Sequence, residues 1–143
     1  DGCDVSRDEK QIAISAWSEG YNNLRVCYEA ADRNENCCRC GKCLMNYVAF
    51  RALGLALPAS FERKIEATQF LQLKNLNEAF SQVFTSMVHK YRQAGFSSAE
   101  WFRPLERCAN YNRRRILLEK PLSNRHVDWL RKFLLRCHTS CGP

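Results

Sequence analysis

The sequence predicts a mainly α-helical fold with a four-cysteine zinc knuckle near its N-terminal third. Two observations lead to this prediction. Apolar residues recur at i, i+3 and i+4 over most of the chain, and a tight cysteine cluster interrupts that pattern. The 143 residues are 45% apolar, which is enough for one hydrophobic core and excludes a disordered chain. Little of the sequence is left for strands.

The first predicted helix begins at a capping box. Ser6-Arg7-Asp8-Glu9 has the form S-x-x-E, in which the hydroxyl and the carboxylate each satisfy a free backbone amide at a helix start. A helix is therefore predicted over residues 7–18, with Gly20 at its end. Its expected buried face is Ile12, Ala13, Ala16 and Trp17. The apolar-polar-apolar run 24–26 predicts a very short strand leading into the cysteine cluster.

Five further helices are predicted, over residues 42–53, 67–73, 76–94, 97 to about 120, and 124–137. The fourth of these begins at a second capping box, at Ser97. Gly54 and Gly95 are the expected stops of two of them. The helix over 76–94 has the clearest apolar face, consisting of Phe80, Val83, Phe84, Met87, Val88 and Tyr91. We expect two regions, a zinc-knuckle segment with flanking helices over 1–57 and a basic helical region over 58–143.

Five of the nine cysteines lie between residues 27 and 43. Four of them have the spacing C-x9-C-x2-C-x2-C, namely Cys27, Cys37, Cys40 and Cys43. Each x2 step brings two sulfurs within reach of one ion. The polar loop after Cys27 is long enough for Cys27 to fold back and supply the fourth ligand. Four thiolates are typical of a structural zinc site, which has no open position for catalysis.

Two other interpretations of the cysteines remain. Three cysteines at x2 spacing also hold iron–sulfur clusters, although the usual run continues to Cys-Pro and this one does not. A disulfide scaffold is disfavoured, because the number of cysteines is odd and the clustered ones lie too close to link distant segments. Cys38 either replaces Cys37 as a ligand or is a packed thiol. Arg25, Arg39 and Lys42 are expected to offset the thiolate charge.

Cysteines that bind a metal must stay out of disulfide bonds, which requires a reducing compartment. The expected location is therefore the cytoplasm. No apolar run approaches the roughly 20 residues of a membrane span. We therefore expect no membrane association.

The net charge of +7 is concentrated in the second half of the chain. Residues 1–72 carry 9 basic and 10 acidic side chains, whereas residues 73–143 carry 13 and 5. Arg113, Arg114 and Arg115 lie in this half among aromatic residues, a pattern suited to phosphate and base contacts. RNA, DNA or a partner protein is the corresponding ligand, and solvated helix faces are the alternative interpretation.

The run from Ser6 to Lys10, the short apolar stretch into Cys27 and the triplet Cys37-x2-Cys40-x2-Cys43 resemble the C-terminal part of 7-cyano-7-deazaguanine synthase and its relatives. These are ATP-using enzymes of the PP-loop pyrophosphatase class. The resemblance implies that the chain is the C-terminal part of a larger α/β enzyme. It also implies zinc ligation by Cys27, Cys37, Cys40 and Cys43.

The resemblance extends from Ser6 to Gly54 and has three departures. Relatives commonly have Gly where this chain has Cys38, and the region from Phe61 onward has no counterpart. The Ser-Gly-Gly-x-Asp-Ser loop that cradles ATP phosphates in that class is absent. Either ATP acts through a missing N-terminal nucleotide-binding domain, or the chain is a relative that kept only the zinc portion. In both cases this chain alone is expected to be inactive.

No catalytic residues are assigned from the sequence. His89, His126 and His138 are scattered, and no nucleophile-base pair has a defensible spacing. A second metal site at Cys137, His138 and Cys141 is a minor alternative. The alternative function is a non-enzymatic, zinc-stabilised helical module that binds nucleic acid or a partner protein through its basic half.

Overall fold

The computed structural model describes residues 4–32, 34–61 and 63–119. Within these ranges the chain is mainly helical and contains no strand, so the predicted mainly α class is confirmed and the strand over 24–26 is wrong. The α-helices are α1 (Arg7–Ser15), α2 (Ser18–Asn22), α3 (Gly41–Ala52), α4 (Glu78–Gln93) and α5 (Phe102–Glu119). Two 3-10 helices lie over Ala67–Gln72 and Phe96–Ser98.

The chain forms two compact units, residues 1–113 and 114–143. Of the second unit, the structure describes only residues 114–119, the end of α5. The predicted division after residue 57 stays a prediction. The predicted helix over 124–137 lies outside the described residues.

The N-terminal helix begins as predicted but buries different residues. The Glu9 amide donates to the Ser6 hydroxyl and the Ser6 amide donates to the Glu9 carboxylate, which confirms the capping box. The predicted apolar face is wrong, because Ile12 and Trp17 are exposed and Gln11 is the buried residue. The helix docks through polar side chains rather than apolar ones, as described below.

Gly20 does not end the first helix. It lies inside α2, and the Trp17 indole occupies the space that a Cβ at Gly20 would need. Any side chain at this position would push the indole away. Gly20 therefore allows the Trp17 indole to pack against the backbone, and it does not end a helix.

Helix α3 is the centre of the fold, since every residue from Cys43 to Phe50 is buried. The Phe50 ring makes edge-on contacts with Tyr21 and Phe61, at centroid distances of 5.7 and 6.0 Å. The helix ends before Gly54, whose φ of 70° is the left-handed conformation predicted for a stop. Both the cysteine cluster and the aromatic core thus depend on one helix.

Helix α4 packs on α3 and is capped by Asn77, whose side-chain oxygen accepts from the Phe80 amide at 2.9 Å. Phe84, Val88 and Tyr91 are buried, whereas the predicted core residue Val83 is 41% exposed. The helix stops before Gly95, which has a φ of 84°. Its apolar face is therefore only partly covered.

The predicted capping box at Ser97 is wrong. Residues 96–98 form a 3-10 helix, and α5 starts later, at Phe102. Pro104 falls in the first turn of α5, where its missing N–H leaves no helical hydrogen bond unmade. The proline therefore fits an intact helix rather than kinking one.

Among the residues that the structure describes, none of the helices combines the length and apolar character needed to cross a membrane.

Candidate metal centre

The four predicted ligands meet beside the start of α3. Cys27 ends the irregular segment that follows α2, Cys37 and Cys40 lie in the loop that enters α3, and Cys43 lies in the first turn of α3. All four are buried, and their sulfur atoms lie within 4.8 Å of one another. The cluster could hold a metal ion, as the cysteine spacing predicted.

The sulfur separations have the size that one tetrahedral ion requires. Cys43 Sγ lies 3.6 Å from Cys40 Sγ and 3.8 Å from Cys37 Sγ. A zinc–sulfur bond of about 2.3 Å gives a tetrahedral S···S edge of about 3.8 Å. These separations are far beyond the roughly 2 Å of a disulfide bond, and the six cysteines of the described residues are all free.

Backbone amides surround the sulfurs. The Cys37 amide donates to Cys27 Sγ at 3.2 Å, and the Cys40 amide donates to Cys37 Sγ at 3.4 Å. Burial raises the pKa of Cys27, but amides of Cys37, Glu29 and Ala30 outweigh it, so the net shift is downward. Burial raises the pKa of Cys37. The loop thus presents partial positive charge to the thiolates that a metal requires.

Cys40 Sγ and Cys43 Sγ form a hydrogen-bonded pair at 3.6 Å. The hydrogen bond with Cys43 lowers the pKa of Cys40 to about 5. The same hydrogen bond, together with burial, raises the pKa of Cys43. The pair therefore favours the thiolate form of Cys40, which is the form in which a cysteine binds a metal ion.

The basic neighbours of the cluster have other partners. Arg25 Nε donates to the Cys27 carbonyl at 3.1 Å, and Lys42 Nζ lies 4.1 Å from the centre of the Tyr28 ring. Arg39 is exposed. Within the described part of the chain, no side chain of these three donates to a cluster sulfur, so amides supply the local stabilisation instead.

Cys38 is a packed thiol beside the cluster and not one of the four grouped sulfurs. It is 1% exposed, and its thiol donates to the Asn36 carbonyl at 3.3 Å. Burial raises its pKa. Its φ of 58° is left-handed, which is uncommon for a residue with a side chain. This conformation turns the chain between Cys37 and Cys40.

Asn36, which sequence reasoning missed, joins the two segments that carry Cys27 and Cys37. Its side chain is 1% exposed; it accepts from the Val26 amide at 2.9 Å and donates to the Leu24 carbonyl at 2.8 Å. The Ser60 hydroxyl also donates to the Leu24 carbonyl at 2.7 Å. In addition, the backbone N–H of Asn36 donates to the Ser60 carbonyl at 2.8 Å. These bonds fix Cys27 against Cys37. The only sequence signal was an asparagine directly before the triplet.

Asn46 connects α1 to the helix that carries Cys43. Its side-chain oxygen accepts from Arg7 Nη2 at 3.1 Å and from Gln11 Nε2 at 3.0 Å. Its amide donates to the Lys42 carbonyl at 2.8 Å. This network explains why α1 buries a glutamine.

Cys108 is buried on α5, outside the cluster. Burial raises its pKa from 9.0 to about 11. A raised folded-state pKa contributes stability below pH 9 that is lost as the pH rises through 11.

We expect iodoacetamide at pH 9 to leave Cys108 unmodified in the folded chain and to alkylate it in guanidinium, as measured by peptide mass spectrometry. Equal labelling rates in both states would contradict the buried assignment.

The predicted basic contact residues lie on α5. Arg113 and Arg114 are exposed, and Arg115 forms an ion pair with Glu119 at 2.6 Å. Binding of nucleic acid or a partner protein through them stays a prediction. His89 is exposed on α4, whereas His126 and the group Cys137, His138 and Cys141 lie outside the described residues.

Comparisons with protein-family models, curated proteins and solved structures found no match to this chain.

Proposed function

We propose that Cys27, Cys37, Cys40 and Cys43 bind one structural zinc ion that stabilises this helical module. The observation that carries the proposal is the group of four buried sulfurs, with separations of 3.6 and 3.8 Å that match a tetrahedral edge. A multi-iron cluster would place several atoms between the sulfurs and would spread them further. When bound, the ion cross-links the loop at Cys27 to the start of α3.

We further propose that the module is the C-terminal part of an ATP-dependent PP-loop enzyme resembling 7-cyano-7-deazaguanine synthase. The order of elements supports this: a capped helix, a non-helical segment into Cys27, the triplet and a buried helix. The left-handed backbone at Cys38 is also the conformation that favours the glycine common in those relatives. A separate nucleotide-binding domain supplies the ATP chemistry, and this chain stabilises the fold and closes off the active site.

Elemental analysis of the purified chain tests the metal. We expect about one zinc per chain, because a single tetrahedral site uses all four clustered sulfurs. The Cys40→Ser variant should lose it. The matched variant Cys38→Gly should keep it, because Cys38 is not in the four-sulfur group. Iron with inorganic sulfide, or a metal-free folded chain, would contradict the proposal.

The gene sequence and enzyme assays test the larger role independently. The full-length protein should contain a Ser-Gly-Gly-x-Asp-Ser loop upstream of Asp1 and should consume ATP with a 7-carboxy-7-deazaguanine-like substrate. A reading frame without that loop would refute the enzyme assignment and leave the zinc module intact.

A further inference from the structure

Helices α1, α3 and α4 enclose a cleft of about 640 Å³ that is separate from the cysteine cluster. Its apolar lining comes from Met45, Ala49, Val83 and Met87. Partial exposure of Val83 is explained by its position in this cleft. A volume of this size accommodates a drug-sized molecule.

The cleft carries one cationic side chain without an ion pair. Arg7 lines it, and its guanidinium donates to Met45 Sδ at 2.9 Å and to the side-chain oxygen of Asn46 at 3.1 Å. No carboxylate of the described residues forms an ion pair with Arg7, because Asp8 pairs with Lys90. Two cations and one carboxylate therefore line the cleft; Asp8 lies near Arg7 as well as pairing with Lys90, and the lining keeps one positive charge in excess.

The cleft is also lined by a tyrosine whose hydroxyl is open to it. Tyr91 is only 4% exposed, and its ring packs edge-on against Phe96 and Trp101 at centroid distances of 6.0 and 5.4 Å. Across the described ranges, its hydroxyl makes no hydrogen bond, although Tyr91 lines the cleft. The hydroxyl therefore keeps its O–H free to donate to a ligand atom in the cleft.

The side chains of Arg7 and Tyr91 lie near each other in the lining of the cleft. Burial and the nearby carboxylate of Asp8 raise the pKa of Tyr91 to about 12, and the charge of Arg7 partly opposes this. The Arg7 guanidinium also has N–H groups beyond the two in use, which suit a carboxylate or phosphate. The hydroxyl and the guanidinium can therefore donate to one anionic group.

We propose that this cleft binds a small molecule with an anionic head group on an apolar body. The head group accepts hydrogen bonds from Arg7 and from the Tyr91 hydroxyl, and the body packs on Met45, Met87 and Val83. A neutral apolar molecule would offer no acceptor to the Tyr91 hydroxyl or to the remaining N–H groups of Arg7, and a cationic one would meet Arg7 and Lys90. This site rests on α1, α3 and α4 and does not depend on the zinc or enzyme proposals.

The two methionines of the chain give a direct readout, because both line the cleft. With methyl-¹³C methionine, the spectrum should contain two methyl signals, one from Met45 and one from Met87. Octanoate and octyl phosphate serve as anionic probes, and octanol serves as the neutral control of equal chain length. We expect at least one anionic probe to shift both signals saturably, with octanol at least about 10-fold weaker.

Three variants test the donors. Tyr91→Phe keeps the ring packing and should weaken binding of the anionic probe by about 3- to 10-fold. Arg7→Gln should weaken it by about 10-fold or more, because the bond to the anion is charge-assisted. Lys10→Gln removes an exposed positive charge from the same helix and should leave the affinity unchanged.

The relative affinities of octanoate and octyl phosphate identify the head group as carboxylate or phosphate, and either preference supports the site. Octanol binding as tightly as both anions would overturn it. So would the absence of methyl shifts with either anion at millimolar concentration. If Arg7→Gln fails to fold, an unchanged affinity in Tyr91→Phe is sufficient to overturn the proposal.

Discussion

Replacing Cys43 with serine should abolish zinc binding and unfold the region around α3. Cys43 is fully buried in the first turn of that helix, so the variant loses a ligand in the middle of the core. Structural zinc sites contribute about 10–16 kcal/mol in small domains at neutral pH, which equals or exceeds the total stability of most domains. We expect the cooperative thermal transition in circular dichroism at 222 nm to disappear, together with the bound metal. Treatment of the parent chain with a strong zinc chelator should have the same effect.

Cys108→Ser is the matched control. It makes the same substitution at another buried cysteine, which lies outside the four-sulfur group. It should keep its zinc and a cooperative transition, with a loss of about 1–3 kcal/mol for the buried polar change. If Cys43→Ser melts like Cys108→Ser and keeps its metal, the zinc centre does not stabilise the chain.

Asn36→Leu should cause the second largest loss of stability. The substitution keeps a side chain of similar size but leaves the Val26 amide and the Leu24 carbonyl without their bonds to Asn36. An unsatisfied buried group costs about 1–3 kcal/mol, and the Leu24 carbonyl keeps its bond from the Ser60 hydroxyl. We therefore expect a loss of about 1–3 kcal/mol, measured by urea unfolding in excess zinc. Zinc affinity should also fall, because Asn36 positions the segment that ends in Cys27.

Asn34→Leu is the control for this variant, since Asn34 is exposed two residues earlier in the same loop. It should change the free energy of unfolding by less than about 0.5 kcal/mol. An Asn36→Leu variant as stable as Asn34→Leu would show that the loop holds its shape without the side-chain bonds.

The cysteine cluster could be predicted because metal ligation depends on local spacing. Cys37, Cys40 and Cys43 lie within two short steps of one another, and no distant residue is needed to bring them together. The capping box at Ser6 and the glycine stops at Gly54 and Gly95 were also local and were confirmed. The identity of the ion remains a proposal.

Features that depend on tertiary contacts could not be predicted in the same way. The buried face of α1 is polar because Gln11 meets Asn46, a residue 35 positions away. Asn36 gains its role from Ser60, which follows a helix and a loop. In the sequence both residues resemble ordinary loop or surface residues, so neither periodicity nor composition identifies them.

The residues of the metal centre also have a consequence for synthesis of the chain. The ribosome completes the ligand set with Cys43, while everything after it is still untranslated. Ser60, the hydrogen-bond partner of Asn36, is added only 17 residues after Cys43. The nascent chain therefore carries all four cysteine ligands before Ser60, which helps to hold their segments together, has been added. During that interval, its sulfurs depend on the zinc supply and the reducing power around the ribosome.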